Sequence, residues 1–61
     1  MINILQLQMD NSGNVGWILI DQQNIDPSTA LSYITGLSVD GNSYAAEQTN
    51  GLVTTRLAQV P

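Results

Sequence analysis

The chain contains no cysteine and no histidine. Disulfides and thiolate metal sites are therefore excluded, and the commonest zinc ligand is missing. Its 61 residues form one small domain, residues 1–61. A domain of about 60 residues buries only roughly 60% of the surface that its unfolded chain exposes. Small folds are usually supported by disulfides, a metal or a partner. Because the first two supports are absent, we expect association with another chain, with a well-packed monomer as the alternative.

Positive charge is also scarce, since Arg56 is the single cation and the net charge is −4. Nucleic-acid binding draws most of its affinity from Lys and Arg, and basic membrane-surface helices need them too. The apolar run at 15–20 is far shorter than the about 20 residues that span a bilayer. Residues 1–9 show no signal-peptide pattern. We expect no nucleic-acid or membrane partner, and a cytoplasmic location, or the virion or host cytoplasm for a viral product.

Catalytic groups are sparse as well. General acid–base catalysis needs histidine or paired carboxylates in a cleft, and a nucleophilic serine needs a base. The acids are scattered along the chain, at Asp10, Asp21, Asp26, Asp40 and Glu47. The two that are closest in sequence are Asp21 and Asp26, and Asp26 is better explained as a helix cap. We therefore predict a protein that is not an enzyme, with no catalytic residue.

The same scarcity argues against bound ions and cofactors. The loops "DNSGN" and "DGNS", at Asp10 and Asp40, lack the spaced acids and closing Glu of a calcium loop. We interpret both as ordinary turns, although a cation there is an open alternative. A chain of this length rarely encloses a ligand cavity of several hundred cubic ångströms. We expect no metal, no cofactor and no small-molecule substrate.

Neutral polar residues replace charge, with twelve Asn and Gln and ten Ser and Thr. Around them, residues 2–9 alternate apolar side chains with a phase slip between Ile4 and Leu5, which predicts a strand that contains a bulge or is buried on both faces at its start. "DNSGN" is rich in turn formers. Residues 15–21 form the second strand, so the first 21 residues are predicted to be a β-hairpin.

A helix is predicted from Pro27 to Thr35. Asp26 is expected to be its N-cap, Pro27 its first residue and Gly36 its left-handed end. Residues 37–39 are predicted to begin a short extra strand, which we leave optional. The last two strands, 43–49 and 52–60, flank Asn50-Gly51, a strong hairpin signal. The predicted fold class is α+β, a small antiparallel sheet in the order β-β-α-β-β with a single helix on one face.

The second strand carries large apolar side chains on both faces. If Trp17 and Leu19 meet the helix, Ile18 and Ile20 point away from it and need another cover. Our hypothesis is that a second chain, most simply a symmetric copy, provides that cover. A closed roll that buries both faces is the alternative. The residues predicted to form this interface are Ile18, Ile20, Leu5, Leu7, Tyr44 and Arg56.

Composition and pattern together predict a non-catalytic protein-interaction or structural module that forms a homo-oligomer or joins a larger assembly. Its size and charge-poor, amide-rich composition are typical of small phage and viral proteins, including virion components. The alternative from another class is a small acidic inhibitor that binds and blocks a host enzyme or factor. The inhibitor hypothesis predicts acids that converge on one patch, whereas the structural hypothesis predicts a self-complementary apolar face.

Overall fold

A computed structural model describes all residues from 1 to 61 and shows the predicted α+β fold. Four antiparallel strands form one sheet, with a helix packed on one face. The strands are β1 (Ile2–Met9), β2 (Val15–Gln23), β3 (Tyr44–Asn50) and β4 (Val53–Val60), and the helix is α1 (Ala30–Leu37). The spatial order is β2-β1-β3-β4, so that β2 and β4 are the two edges of the sheet.

The turn of the first hairpin is built around Asp10. Its backbone carbonyl accepts the Gly13 N–H at 3.1 Å, and its own N–H donates to the Asn14 carbonyl at 2.9 Å. The Asp10 carboxylate also accepts the backbone N–H groups of Ser12 and Asn14. Gly13 has a φ of 85°, the left-handed conformation that this loop requires. The turn lies where the run of turn formers predicted it, but Asp10 and Asn14 are paired, so that the loop has three residues and a bulge at its glycine rather than five residues.

The helical segment begins at Pro27, as predicted, but its first turn, Pro27–Thr29, is a 3₁₀ turn. The prediction of a side-chain cap at Asp26 is wrong. The Asp26 side chain makes no capping hydrogen bond. Its backbone carbonyl instead accepts the N–H and the hydroxyl of Thr29, at 3.0 and 2.8 Å.

The end of the helix lies beyond the predicted one. Gly36 lies inside α1, and only after a further 3₁₀ turn, Ser38–Asp40, does Gly41 adopt the left-handed conformation with φ 89°. The optional extra strand at 37–39 is therefore absent. Gly36 therefore does not end the helix. A Cβ built at this position would have no other atom within 4 Å.

The second hairpin turns one residue later than predicted. Asn50 pairs with Val53, so the two-residue loop is Gly51 and Leu52. Gly51 has a φ of 66°. Leu52 does not have a positive φ, since the residues with a positive φ are all glycines. A glycine at the first loop position is typical of a type II′ turn, whereas Asn50-Gly51 would have formed the type I′ turn.

The core lies between α1 and one face of the sheet. It contains Ile2, Ile4, Ala30, Ile34, Tyr44 and Ala46, all of them buried. Leu57, Ala58 and Val60 of β4 pack against this cluster. The helix therefore covers β3, β4 and the first half of β1, and it leaves the centre of β2 without cover.

The expected orientation of β2 is wrong, and a bulge explains why. The β1–β2 register shifts between Ile4 and Leu5: Ile4 pairs with Asp21, and Leu5 pairs with Leu19. Ile20 is thus an extra residue, and the strand beyond it changes face. Because Leu5 and Leu19 pair directly, and Leu7 pairs with Trp17, all four of these side chains lie on the face opposite the helix.

The phase slip predicted in β1 therefore has a different origin. The side chains of β1 alternate without interruption, with Ile2 and Ile4 under the helix and with Leu5 and Leu7 on the other face. The apolar pattern changes phase because the apolar cover changes sides along the strand. The register shift does occur at this point, but the extra residue belongs to β2.

Candidate interaction surface

The most exposed apolar segment of regular structure is β2. Ile18, Leu19 and Ile20 are 48%, 52% and 43% exposed, and Val15 is exposed beside them. Within this strand only Trp17 and Gln23 are even half-buried. Single apolar residues on a surface are ordinary, but a contiguous run along one strand is the pattern of a contact site. We call Val15, Trp17, Ile18, Leu19 and Ile20 the β2 surface.

The backbone of β2 is also unpaired on its outer side. The hydrogen bond from Asp10 N–H to the Asn14 carbonyl fixes which residues face β1. Counting along the register, Gly16 and Ile18 point their backbone groups toward β1. The N–H and C=O groups of Val15, Trp17 and Leu19 therefore point out of the sheet edge. Such a row of free donors and acceptors is a template for another strand.

The face opposite the helix has a partial cover of its own. The Arg56 guanidinium carbon lies 5.3 Å from the centre of the Trp17 ring. These residues belong to the two outer strands, which are three strand spacings apart, or about 14 Å. Their side chains must therefore reach toward each other over β1 and β3. Ala45, which pairs with Leu5 on that face, is completely buried although it lies outside the helix-side core.

Arg56 is held at this position by polar contacts within the chain. Its guanidinium lies 3.5 Å from Glu47 and donates to Gln59 at 3.1 Å. Glu47 pairs directly with Arg56 across β3 and β4. Arg56, which the sequence analysis placed in the interface, thus forms its ion pair inside one chain, and we leave it out of the β2 surface.

The other predicted interface residues divide into two groups. Ile18 and Ile20 are exposed on β2, Leu7 is just exposed, and Leu5 is half-buried on the same face as Trp17. Tyr44, by contrast, is only 3% exposed because it packs in the helix-side core. Its hydroxyl accepts from Gln6 and donates to Asp40, so it has no group free for a partner.

Sequence reasoning did not include Leu19 and Val15 in the interface. Leu19 was expected under the helix, and the bulge at Ile20 moves it to the open face. Val15 lies next to the turn and pairs with Met9, another exposed apolar residue. The sequence "VGWILI" shows that Val15 and Leu19 are apolar residues of a strand. Only the pairing register shows that they lie on the same face as each other, opposite the helix.

The carboxylates of Asp21 and Asp40 are engaged in local hydrogen bonds. The side chain of Gln23 and the backbone N–H of Gln22 donate to Asp21 and lower the pKa of its carboxyl. The hydroxyl of Tyr44 and the backbone N–H of Asn42 do the same for the pKa of Asp40. These acids are held in the charged form, in which a carboxylate is a poor proton donor.

The acids also lie apart from one another. Asp10 lies in the first turn, Asp21 near the end of β2, Asp26 before the helix, Asp40 after it and Glu47 on β3. No three acidic side chains form a group that could hold a metal ion. One shallow depression of about 270 Å³ lies beside the first turn, and Met9, Val15 and Ile18 supply its apolar lining. It therefore includes part of the β2 surface.

The opposite edge differs in chemistry. β4 presents "VTTRLAQV", which includes two threonines, a glutamine and the only cation. Charged residues on an edge strand oppose pairing with another chain. β2 has one charged residue, Asp21, and it lies beyond the bulge. The free edge suited to a partner is therefore that of β2.

Comparison with protein-family models, with curated proteins and with solved structures finds no significant match to this chain. The structure contains no helix with the combination of length and apolar character that is needed to cross a lipid bilayer.

Proposed function

We propose that this chain is a non-catalytic protein-interaction module that associates with itself through the β2 surface. The observation that carries the proposal is the exposure of Ile18, Leu19 and Ile20 on a strand whose outer backbone groups are unpaired. Apolar side chains on both faces and free hydrogen-bonding groups between them suit another β-strand better than a small ligand or a nucleic acid.

The free energy that apolar burial can supply is comparable to the cost of bringing two chains together. Full burial of Ile or Leu is worth about 1.5–3 kcal/mol, so a half-exposed side chain has roughly 1 kcal/mol to gain. Three such side chains on each of two copies contribute about 6 kcal/mol, whereas association costs on the order of 4–15 kcal/mol. Apolar burial alone therefore offsets the cost only at the lower end of that range. Hydrogen bonds along the edge are needed for stable association, which favours strand pairing over face-to-face stacking.

The charge distribution supports self-association over enzyme inhibition. A chain that blocks an enzyme through its acids would present them together, but here they lie on separate elements. The middle of the β2 surface is uncharged, so two copies of a chain with net charge −4 can approach there with least repulsion. If the module belongs to a larger assembly, as the composition suggests for a virion component, we expect the same surface to be covered in it.

The test is the mass of the chain in solution, measured by light scattering after size exclusion. The wild type is expected to reach twice its 6.6 kDa mass as concentration rises. Ile18→Lys places a charge in the β2 surface and is expected to remain monomeric. Val39→Lys, with the same change of charge at a residue that is 88% exposed and lies outside β2, is expected to behave as wild type.

A wild type that stays monomeric at every concentration would remove the proposal. Association of Ile18→Lys to the same extent as wild type would also contradict it, since the contact would then lie elsewhere. Circular dichroism of both variants establishes that each is folded before the masses are compared.

A further inference from the structure

The outer edge of β2 is regular over one short stretch only. At one end of the stretch lies the turn with its glycine bulge at Gly13, and at the other lies the bulge at Ile20. Between these two irregularities the strand runs without interruption over residues 15–19. A second strand can form ladder hydrogen bonds only along such a regular stretch, because a bulge interrupts the alternation of backbone groups. The midpoint of residues 15–19 is Trp17.

The backbone groups that face outward are arranged symmetrically about that midpoint. They belong to Val15, Trp17 and Leu19, as the register of the first hairpin requires. The backbone bond from Leu7 N–H to the Ser43 carbonyl supports this phase, since it shows that Leu7, the partner of Trp17, points its backbone toward β3. Residues 15 and 19 are equally far from Trp17, so an antiparallel copy would match each of the three outward residues with another.

On the basis of the self-association proposed above, we infer that two copies pair β2 with β2, antiparallel, around a twofold axis at Trp17. Val15 of one copy then faces Leu19 of the other, and Trp17 faces Trp17. Each facing pair of outward residues exchanges two hydrogen bonds, which gives about six across the interface. The two four-stranded sheets become one continuous sheet.

The side chains fit this register. On the helix side, Ile18 of each copy lies opposite Gly16 of the other, so the large side chain lies against the residue with no side chain. Nothing lies within 4 Å of the position that a Cβ on Gly16 would take, so there is room beside it. On the other face, Leu19 and Val15 pair as apolar neighbours. Trp17 reaches across its own sheet toward Arg56, so the two rings point away from the axis.

Charge favours the same register. Asp21 is the only charged residue of β2, and it lies four positions from Trp17. The two copies of Asp21 would therefore be about 26 Å apart, more than the Debye length of about 8 Å at physiological salt. A register that slid toward Asp21 would bring the two carboxylates closer and would place the bulge at Ile20 inside the ladder.

Cysteine cross-linking distinguishes the registers, because the chain has no cysteine of its own. Across the proposed interface, residues 16 and 18 form a pair without hydrogen bonds, with Cα atoms about 4.5 Å apart, a distance that a disulfide spans. Residue 18 of one copy and residue 18 of the other are offset by two positions, so their Cα atoms lie about 8 Å apart, which is too far for a disulfide. Gly16→Cys and Ile18→Cys are mixed in equal amounts and oxidised gently. A variant with Val39→Cys, mixed with Ile18→Cys, measures random collision.

We expect the mixed disulfide between the Gly16→Cys and Ile18→Cys chains to exceed the Val39→Cys control by about tenfold or more. A dominant disulfide between two Ile18→Cys chains would overturn the register and place the axis at Ile18. A dimer seen by light scattering without any cross-link above the control would overturn edge pairing but leave self-association intact. A monomer under all conditions would overturn both proposals.

A measurement on the unaltered chain guards against variants that fail to fold. Equal amounts of isotope-labelled and unlabelled chain are mixed, and NMR contacts between the two kinds of chain are recorded selectively. The expected contacts join the methyl groups of Leu19 in one copy to those of Val15 in the other. Contacts between chains that involve only residues outside β2 would overturn the inference.

Discussion

The contact between Trp17 and Arg56 offers a quantitative test of how the sheet covers the face opposite the helix. We consider Trp17→Leu, which keeps an apolar side chain but removes the aromatic ring, and Arg56→Met, which keeps the length of the stem but removes the charge. A partly exposed cation–π contact is worth about 0.5–1 kcal/mol. The pair with Glu47, in which the two side chains are 40% and 21% exposed, adds about 0.2–1 kcal/mol.

Arg56→Met loses both contacts and is therefore expected to lower the free energy of unfolding by about 0.7–2 kcal/mol. In the Trp17→Leu background only the pair with Glu47 is left to lose. The double-mutant cycle should thus give a coupling energy of about 0.5–1 kcal/mol between Trp17 and Arg56. A chain of this length has a stability of roughly 3–9 kcal/mol, so the effect is a measurable fraction of the whole.

The assay is urea unfolding followed by circular dichroism, at a concentration low enough to keep the chains monomeric. Glu47→Gln serves as a control, since it removes the ion pair and leaves the contact with the ring. A coupling energy below about 0.3 kcal/mol, the level at which independent sites already add, would show that the two side chains do not meet. The cover over Ala45 would then need another explanation.

Three further predictions concern stability. Ile34→Ala, at a completely buried helix position, should cost about 2–5 kcal/mol in urea unfolding, whereas Leu31→Ala, 53% exposed on the same helix, should cost less than about 1 kcal/mol; equal costs would contradict the position of the helix. Gly36→Ala should stabilise the chain by roughly 0.5–1 kcal/mol, because residue 36 has a helical backbone and there is space for a Cβ. Gly51→Ala, at a φ of 66°, should destabilise the chain by about 1 kcal/mol, and a stabilising effect would contradict the turn described here. The pKa of Asp40 is lowered in the folded chain, so the stability that its carboxylate contributes is present above its unfolded pKa of about 3.9 and is lost as pH falls through the folded pKa. Between neutral pH and a pH below about 4, the urea midpoint of Asp40→Asn should therefore fall less than that of wild type. An identical fall in the two proteins would contradict this role of Asp40.

Much of the fold could be predicted from local signals. The turn formers at residues 10–14 and Pro27 influence the backbone only of residues close to them in sequence. Their effects can therefore be predicted from the sequence. Ala30 and Ile34 are apolar residues four positions apart, a spacing that places both on one face of a helix, and both are in the core. These elements form where the pattern placed them because neighbouring residues, rather than distant contacts, decide turns and helix starts.

What sequence alone did not give was the orientation of β2. A single extra residue at Ile20 exchanges the faces of Trp17 and Leu19, and nothing in "GWILID" identifies which residue is extra. The partner of Arg56 was also out of reach, since Glu47 and Trp17 approach it only through the strand order β2-β1-β3-β4. Both features depend on pairing between distant segments.

The central claim is that the outer edge of β2 is open in a single chain and is covered by a second copy. Amide hydrogen exchange of the wild type tests it most directly, measured at about 5 µM and about 500 µM, which lie on either side of a dissociation constant of about 50 µM. The amides of Gly16 and Ile18, which face β1, should be protected at both concentrations and serve as a control within the same strand. We predict that the outward amides of Trp17 and Leu19 exchange rapidly in the dilute sample and become protected in the concentrated one. Rapid exchange of Trp17 and Leu19 at both concentrations would contradict the claim.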